Sequence, residues 1–263
     1  MKKIVIVLVC IFLLSGCNNY SEEDFNTPVE VSGMENAKNG WGFKKNPGGR
    51  PEFTKAQISV MEKYNCIYMG REDEKVMYLT FDEGYENGFT ATILDTLLKH
   101  NVPAAFFVTG PYLKKHGDLI GRMVNEGHIV GNHTVNHPSL PDCNTEKIKK
   151  EISELEGDFY DTYGIKMKYI RPPMGEYSER TLKITNEMGY INVFWSFAYR
   201  DWETNNQKGA ESAFNEVTKN FHNGSIILLH AVSKDNAVAL DRILNEAKKQ
   251  GYVWKSLDNF KYN

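Results

Sequence analysis

From Val76 onward, short apolar runs alternate with stretches whose apolar residues recur every three or four positions, the pattern of strands alternating with amphipathic helices. Val76 to Phe81 predicts a strand, and Ile93, Leu94, Leu97 and Leu98 mark one face of the helix behind it. Ala104 to Val108 is a second apolar strand, followed by a helix marked by Leu119, Ile120, Met123 and Val124 and closed by Gly127. His128 to Gly131 predicts a short strand. Ile148, Ile152, Leu155 and Phe159 then line a long helix that ends at Gly164. Tyr169 and Ile170 form a strand stub, Ser178 caps a helix stopped by Gly189, and Ile191 to Phe197 predicts a strand. A helix over Ala210 to Phe221, a strand over Ser225 to Leu229, a helix marked by Leu240, Ile243, Leu244 and Ala247, and a strand at Tyr252 to Trp254 complete the series.

About seven strands alternating with helices imply an α/β protein with a parallel sheet covered by helices. An open doubly wound sheet and a closed barrel both satisfy that count. The polar residues favour the barrel. Asp82 follows the first strand, His133 and His137 the third, Arg171 the fourth, Asp201 the fifth and His230 the sixth. Side chains from so many strand ends share one mouth in a barrel, whereas an open sheet offers a crevice only at its switch point. The expected fold is a distorted (β/α) barrel of about seven parallel strands over residues 76–263.

The segments ahead of the barrel have other characters. Lys2 and Lys3 precede an apolar run from Ile4 to Leu14, too short for an ordinary membrane span and suited to a signal-peptide core. The run ends in Leu14-Ser15-Gly16-Cys17, which resembles a bacterial lipobox and makes Cys17 the expected lipidation site. Residues 1–17 are therefore read as a lipoprotein signal peptide and 18–38 as a polar tether. Residues 39–75 are read as an extension that packs on the barrel. The protein is expected to be exported and lipid-anchored to the outer face of the membrane.

Composition narrows the function classes. With 31 basic and 34 acidic residues dispersed along 263 positions, the chain has no polybasic surface for nucleic acid, and none is expected as a partner. Cys66 and Cys143, the cysteines beyond the leader and the lipobox, are read as two unrelated free thiols, and the absence of a CxxC argues against a thiolate zinc site.

The chemistry lies in short clusters. His133 and His137 lie in His133-Thr134-Val135-Asn136-His137-Pro138, where Pro138 and Asn136 favour a tight turn over a helix. By itself an H-x3-H is weak evidence for a metal. Asp82 and Glu83 add two adjacent carboxylates directly after an apolar strand, whose mutual repulsion a cation would relieve. One carboxylate with two His is a usual ligand set for catalytic zinc, and a second carboxylate can take a proton from the bound water. His230, Asp201-Trp202 and Arg171-Pro172-Pro173 each have an ordinary structural reading when taken singly. His100, His116, His128 and His222 match no motif and are read as surface or loop residues.

Together these clusters resemble the polysaccharide deacetylase family, carbohydrate esterase family 4 with its NodB homology domain. Thr80-Phe81-Asp82-Glu83, His133-Thr134-x-x-His137, Arg171-Pro172-Pro173, Asp201-Trp202 and Leu228-Leu229-His230 stand in the family's order from about Val76 to the C-terminus. The resemblance implies a distorted (β/α) barrel and a divalent metal, zinc foremost. It implies that Asp82 is the general base, oriented by Arg171, and that His230 is the general acid, held by Asp201. Glu83, His133 and His137 are the implied metal ligands. Tyr85, Pro173, Trp202 and Leu228 are the implied substrate-binding residues.

The family usually has Asp where this chain has Glu83, and the extra methylene displaces the carboxylate by about 1.5 Å. Within the family, Phe81 to Gly88, Trp41-Gly42-Phe43, Phe194-Trp195-Ser196, Asn205 to Gly209 and Ala231 to Ala237 resemble one branch. That branch comprises peptidoglycan N-acetylmuramic acid deacetylases that form muramic δ-lactam in the spore cortex. The resemblance implies peptidoglycan glycan strands as substrate and a muramoyl-peptide amidase acting first. A general N-acetylglucosamine or chitin-type deacetylase and a non-catalytic glycan-binding lipoprotein are the alternatives.

Overall fold

In the computed structural model, which describes residues 36–262, the elements run β1 (Asn39–Gly40), α1 (Lys55–Lys63), β2 (Val76–Glu83), α2 (Thr90–His100), β3 (Ala104–Val108), α3 (Gly110–Lys115), α4 (Gly117–Asn125), β4 (Ile129–Asn132), α5 (Thr145–Tyr163), β5 (Tyr169–Ile170), β6 (Glu176–Tyr177), α6 (Glu179–Glu187), β7 (Ile191–Asn192), α7 (Ala210–Thr218), β8 (Ser225–His230), α8 (Lys234–Lys249) and β9 (Val253–Trp254). The leader, the lipobox with Cys17 and most of the tether lie outside the described residues. No helix among the described residues is long and apolar enough to cross a membrane.

A seven-stranded sheet in the order β7-β5-β4-β3-β2-β8, with β9 beside the start of β2, is parallel at every pairing. The sheet curls until its two edges meet one chain segment. β7 pairs with β5 at one edge, and a few residues later Phe197 bridges Ile227 of β8 at the other. Backbone bonds from Val193 N to Ile170 O (2.8 Å) and from Leu228 N to Phe197 O (2.9 Å) stitch this segment to both sides. The expected strand over Ile191 to Phe197 is thus a short strand plus the closing seam of a distorted barrel.

Strand pleating sorts the side chains into two layers. Met77, Leu79 and Phe81 of β2 and Ile227 and Leu229 of β8 face the helices, where they pack with Ile93, Leu94 and Leu97 of α2 and Leu240, Ile243 and Leu244 of α8. Val76, Tyr78, Phe107, Tyr169, Val193 and Ile226 fill the barrel interior. Helix α2 departs from expectation at one position. Its buried stripe is Thr90, Ile93, Leu94 and Leu97, which leaves Leu98 one residue too far around the helix and exposed.

The segment from Asn39 to Lys75 covers the barrel on the seam side. β1 pairs antiparallel with β6, Ile67 bridges Val193, and the indole of Trp41 donates to Trp195 O at 2.8 Å while stacking near Phe53 and Phe194. Cys66 and Cys143 are both free and buried, and burial pushes the Cys66 thiol far up, so it stays protonated.

Two of the unassigned histidines are not on the surface. His128 is buried under β3, its Nδ1 accepting from Ala104 N at 3.2 Å. His222 is buried behind the seam between Ser196 Oγ (2.9 Å) and Asn220 O (2.8 Å). Both serve backbone or side-chain polar groups of the fold, a role that short sequence motifs do not mark.

Candidate active site

The pleat that fills the barrel with apolar side chains ends in polar ones at the C-terminal mouth. Thr80 and Asp82 on β2, Arg171 after β5, His133 after β4, and Leu228 and His230 on β8 continue the inward-facing register. Asp82 and His230 are direct register partners across β2 and β8. The convergence expected from strand ends is therefore a consequence of parallel pairing.

Arg171 is wholly buried and its guanidinium is well satisfied. Nη1 donates to Asp82 Oδ1 at 2.7 Å, Nη2 to Thr80 Oγ1 at 2.9 Å and Nε to Val193 O at 3.1 Å, and the group lies over the Phe107 ring at 4.2 Å. Burial alone would push the Asp82 carboxyl up. The Arg171 charge, with His133 and His230 behind it, outweighs burial and holds Asp82 below the usual carboxylate range. Asp82 is thus an ionised carboxylate held in one orientation at neutral pH.

Across the mouth, His230 is held from behind. Asp201 is almost fully buried. Its Oδ1 accepts from His230 Nδ1 at 2.7 Å, and its Oδ2 accepts from His230 N at 2.7 Å and Asn236 Nδ2 at 2.6 Å. A carboxylate on Nδ1 makes that nitrogen the N–H in neutral imidazole and leaves Nε2 for the pocket. Burial lowers the His230 pKa, but Asp201 more than reverses this, so the ring titrates above its ordinary value and can carry a proton to a leaving group. Gln207 latches the loop that carries Asp201. Its Nε2 donates to Asp201 O at 2.9 Å and its Oε1 accepts from Ser233 Oγ at 2.7 Å.

The two expected metal-binding histidines meet on a rigid turn. Thr134 (φ 67°) and His137 (φ 56°) both adopt left-handed backbone, so the turn is not helical. Asn132 Oδ1 accepts from Thr134 N at 2.9 Å, Thr134 Oγ1 from His137 N at 3.0 Å, and the Glu151 carboxylate of α5 from Asn136 N at 2.7 Å. Gly110 permits the neighbouring loop to approach, since a Cβ there would lie 2.9–3.1 Å from Val135. His133 Nδ1 donates to Arg171 O at 2.8 Å, because a carbonyl can only accept, and so Nε2 carries the lone pair. The Nε2 atoms of His133 and His137 lie 3.1 Å apart, and His133 Nε2 is 3.5 Å from Asp82 Oδ2. Burial lowers both imidazole pKa values, that of His133 to about 4, so both rings are neutral donors at pH 7.

Glu83 does not join them, which corrects the ligand set drawn from sequence. β2 runs through Glu83, so the pleat that turns Asp82 into the barrel turns Glu83 toward the helices beside Phe81. It is fully buried and neither carboxylate oxygen has a hydrogen-bond partner. Burial, then Glu86 and Asp82, push its pKa well above the usual range. Among the described residues no group of three His, Cys, Asp or Glu side chains converges to hold a metal ion. The donors that do converge, His133 Nε2 and His137 Nε2, fit a divalent cation as two neutral nitrogens.

This placement makes a prediction. Glu83→Gln is expected to leave zinc binding by equilibrium dialysis intact and kcat within about threefold, roughly 0.7 kcal/mol. A carboxyl whose folded pKa is raised stabilises the fold below its unfolded pKa and loses that contribution as pH rises. The variant should therefore gain stability over the natural chain as denaturation is repeated from pH 5 to pH 8. Loss of zinc binding in Glu83→Gln would return Glu83 to the metal site.

A cavity of about 720 Å³ opens over these groups. Tyr85, Trp202 and Leu228 line it, Trp202 edge-on to His230 at 5.2 Å between ring centroids. Pro173 does not. It is buried at the start of a one-turn 3-10 segment, and Met174 (φ 59°) and Gly175 after it reach the cavity instead. Gly175 (φ 68°) packs under the Trp195 ring, 2.7 Å from where a Cβ would stand. Lys45, Trp195, Tyr199 and Arg200 also line the cavity and were not singled out as site residues from sequence. Only their nearness to recognised segments, such as Phe194-Trp195-Ser196, hinted at them.

The family profile described as polysaccharide deacetylase matches residues 69–193. The chain is 44% identical to the peptidoglycan-N-acetylmuramic acid deacetylase PdaA of Bacillus subtilis, over 89% of this chain and 90% of that one. It is 36% identical to a peptidoglycan-N-acetylglucosamine deacetylase of Bacillus cereus, over 74% of this chain and 71% of that one. The solved structure of Bacillus subtilis PdaA, a family 4 carbohydrate esterase, superposes with a TM-score of 0.84 at 45% identity, covering 86% of this chain and 98% of that one. Similarity of this extent, on a barrel that assembles the five motifs at one mouth, places the chain in the polysaccharide deacetylase family of family 4 carbohydrate esterases.

Proposed function

We propose that this protein hydrolyses the N-acetyl group of N-acetylmuramic acid in peptidoglycan. The observation that carries the proposal is the pairing of an ionised Asp82 with a proton-bearing His230 on adjacent strands, each fixed by its own buried partner, beside two neutral imidazole nitrogens. The relative that matches the chain along 89% of its length and is named for muramic acid supports that sugar as substrate.

In this reading the acetamido group enters with its methyl toward Trp202 and Leu228. A divalent cation held by His133 and His137 would polarise the acetyl carbonyl and lower the pKa of a water. Asp82 takes a proton from the attacking water as its oxygen bonds to the carbonyl carbon. The tetrahedral intermediate collapses with cleavage of the C–N bond, and His230 Nε2 delivers its proton to the departing nitrogen. Acetate leaves, and the free amine remains on C2 of the sugar. That amine can close onto the lactyl carboxyl of the same residue, which makes the reaction a step toward muramic δ-lactam in the spore cortex. Closure requires that an amidase has first removed the stem peptide. Export and a lipid anchor at Cys17, as the N-terminal sequence suggests, would place the domain beside this polymer.

Mass spectrometry of defined strands tests the reading. Acetate release from peptide-free muramoyl strands, little release from chitin oligomers and loss of both after chelation are expected. Equal rates on chitin oligomers would replace the muramic reading with a general N-acetylglucosamine deacetylase.

A further inference from the structure

We propose that Lys45 and Arg200 form a carboxylate-recognition subsite that selects muramic acid bearing a free lactyl group. The inference rests on the muramic reading above and specifies how the cavity recognises that sugar.

Most of the cavity lining is aromatic, aliphatic or glycine. Its formally charged residues are Asp82, Lys45 and Arg200. Asp82 is neutralised at 2.7 Å by Arg171, which leaves two cations with no anion of the cavity to meet them. Both line the cavity near Phe197. Lys45 Nζ sits 5.3 Å from the Phe197 ring centroid, and Arg200 follows three residues later on the segment that continues to Asp201. Their own partners lie outside the cavity lining. Lys45 contacts Glu216 at 3.3 Å and Arg200 approaches Glu203 at 3.8 Å, with the Arg200 side chain 80% exposed. Pairs of this exposure contribute under about 1 kcal/mol and yield readily to a competing carboxylate.

The position of the wall matches the chemistry of the sugar. His230 protonates the departing nitrogen, so C2 of the sugar must sit close to His230, whose ring and backbone are held from behind by Asp201, the residue after Arg200. The lactyl ether is on C3, the adjacent ring carbon, and its carboxyl is near enough to the nitrogen to close a six-membered ring with it. A muramoyl residue placed for hydrolysis therefore carries its carboxylate toward the wall that holds Arg200 and Lys45. N-acetylglucosamine has a neutral hydroxyl there. A muramoyl residue that keeps its stem peptide has an amide at that carbon, with no charge for the cations and added bulk. Two cations with no anion of the cavity lining free to meet them thus select the peptide-free sugar and direct its carboxyl to the side where the new amine appears.

The test compares the full chain with Lys45→Ala, Arg200→Ala and the double variant on two peptide-free strands. One strand keeps free lactyl carboxylates, and in the other these are converted to neutral methylamides. On the free acid, KM is expected to rise about fivefold in each single variant and about 25-fold in the double, roughly 1 kcal/mol per cation, with kcat within about twofold. On the methylamide the natural chain and the variants should share one raised KM. Equal losses on both strands, or no loss on the free acid, overturn the subsite. The rate of the natural chain on the free acid judges the muramic reading separately, and absence of that rate overturns both. Thermal unfolding of each variant confirms that these exposed substitutions leave the fold intact.

Discussion

Asp82→Asn is expected to lower kcat by about 10²- to 10⁴-fold, the usual contribution of a positioned base, and to destabilise the fold at the same time. Arg171 is fully buried and, among the described residues, its only carboxylate partner is Asp82. Removing that charge leaves a buried guanidinium uncompensated, at a cost of about 3–5 kcal/mol. The two effects separate in a second variant. Asp82→Leu with Arg171→Met replaces the pair by apolar groups of similar size and should recover most of the lost stability while remaining inactive. Chemical denaturation and acetate release measure the two independently. Because Asp82 titrates below its unfolded value, its contribution to stability is present above that value and lost as pH falls through the folded pKa. Arg171→Met alone removes the charge that opposes burial. The acid limb of kcat/KM should then move upward toward neutral pH. Activity that survives Asp82→Asn unchanged would favour the non-catalytic glycan-binding alternative and remove the base assigned here.

The second large effect is expected at Asp201. It accepts from the ring and the backbone of His230 and from Asn236, all within 2.7 Å. Asp201→Asn keeps the shape of the carboxylate but removes the charge that raises the His230 pKa against burial. The imidazole should then titrate below its ordinary value of about 6.5. The basic limb of the kcat/KM profile, expected above that value in the natural chain, should shift to lower pH, and kcat should fall about 10²- to 10⁴-fold. A group with a raised folded pKa stabilises the fold fully below its unfolded pKa and loses that contribution as pH rises through the folded value. The stability difference between Asp201→Asn and the natural chain should therefore be largest at mildly acidic pH and narrow under alkaline conditions. A basic limb that stays in place in the variant would identify a different acid.

These effects have one source in the fold. Parallel pairing brings β2 and β8 into register so that Asp82 and His230 face each other, and each is then backed by a residue from elsewhere in the barrel. Arg171 reaches across the interior from the end of β5. Asp201 comes from the segment just past the closing seam. Lys45, from the covering segment at the N-terminal side, approaches the same wall. Base, acid and the proposed carboxylate subsite are thus supplied by chain segments far apart in sequence.

The sequence by itself determined most of the elements and the order of the polar clusters along them. The bounds of β3 and β5, the cap at Ser178 and the stop at Gly164 are local events, written in apolar periodicity and in residues suited to helix ends. The ordered clusters around Asp82, His133, Arg171, Asp201 and His230 were legible because they follow apolar runs in the order of the family they resemble. Tertiary structure decided the rest. A pair of adjacent carboxylates reads the same in a turn and in a strand, and only the extension of β2 through Glu83 sends that side chain to the helix face, away from the histidines. Met174 meets the cavity in place of Pro173 for a similar reason, since the left-handed residue after the proline sets which side chain reaches it. Lys45 belongs to no motif in the sequence, because its place depends on how the N-terminal extension lies against a barrel seam formed some 150 residues later. Local pattern specifies which face of an element is apolar. Which faces and ends meet depends on long-range packing, and that is what separates Glu83 from the histidines and brings Lys45 to the cavity.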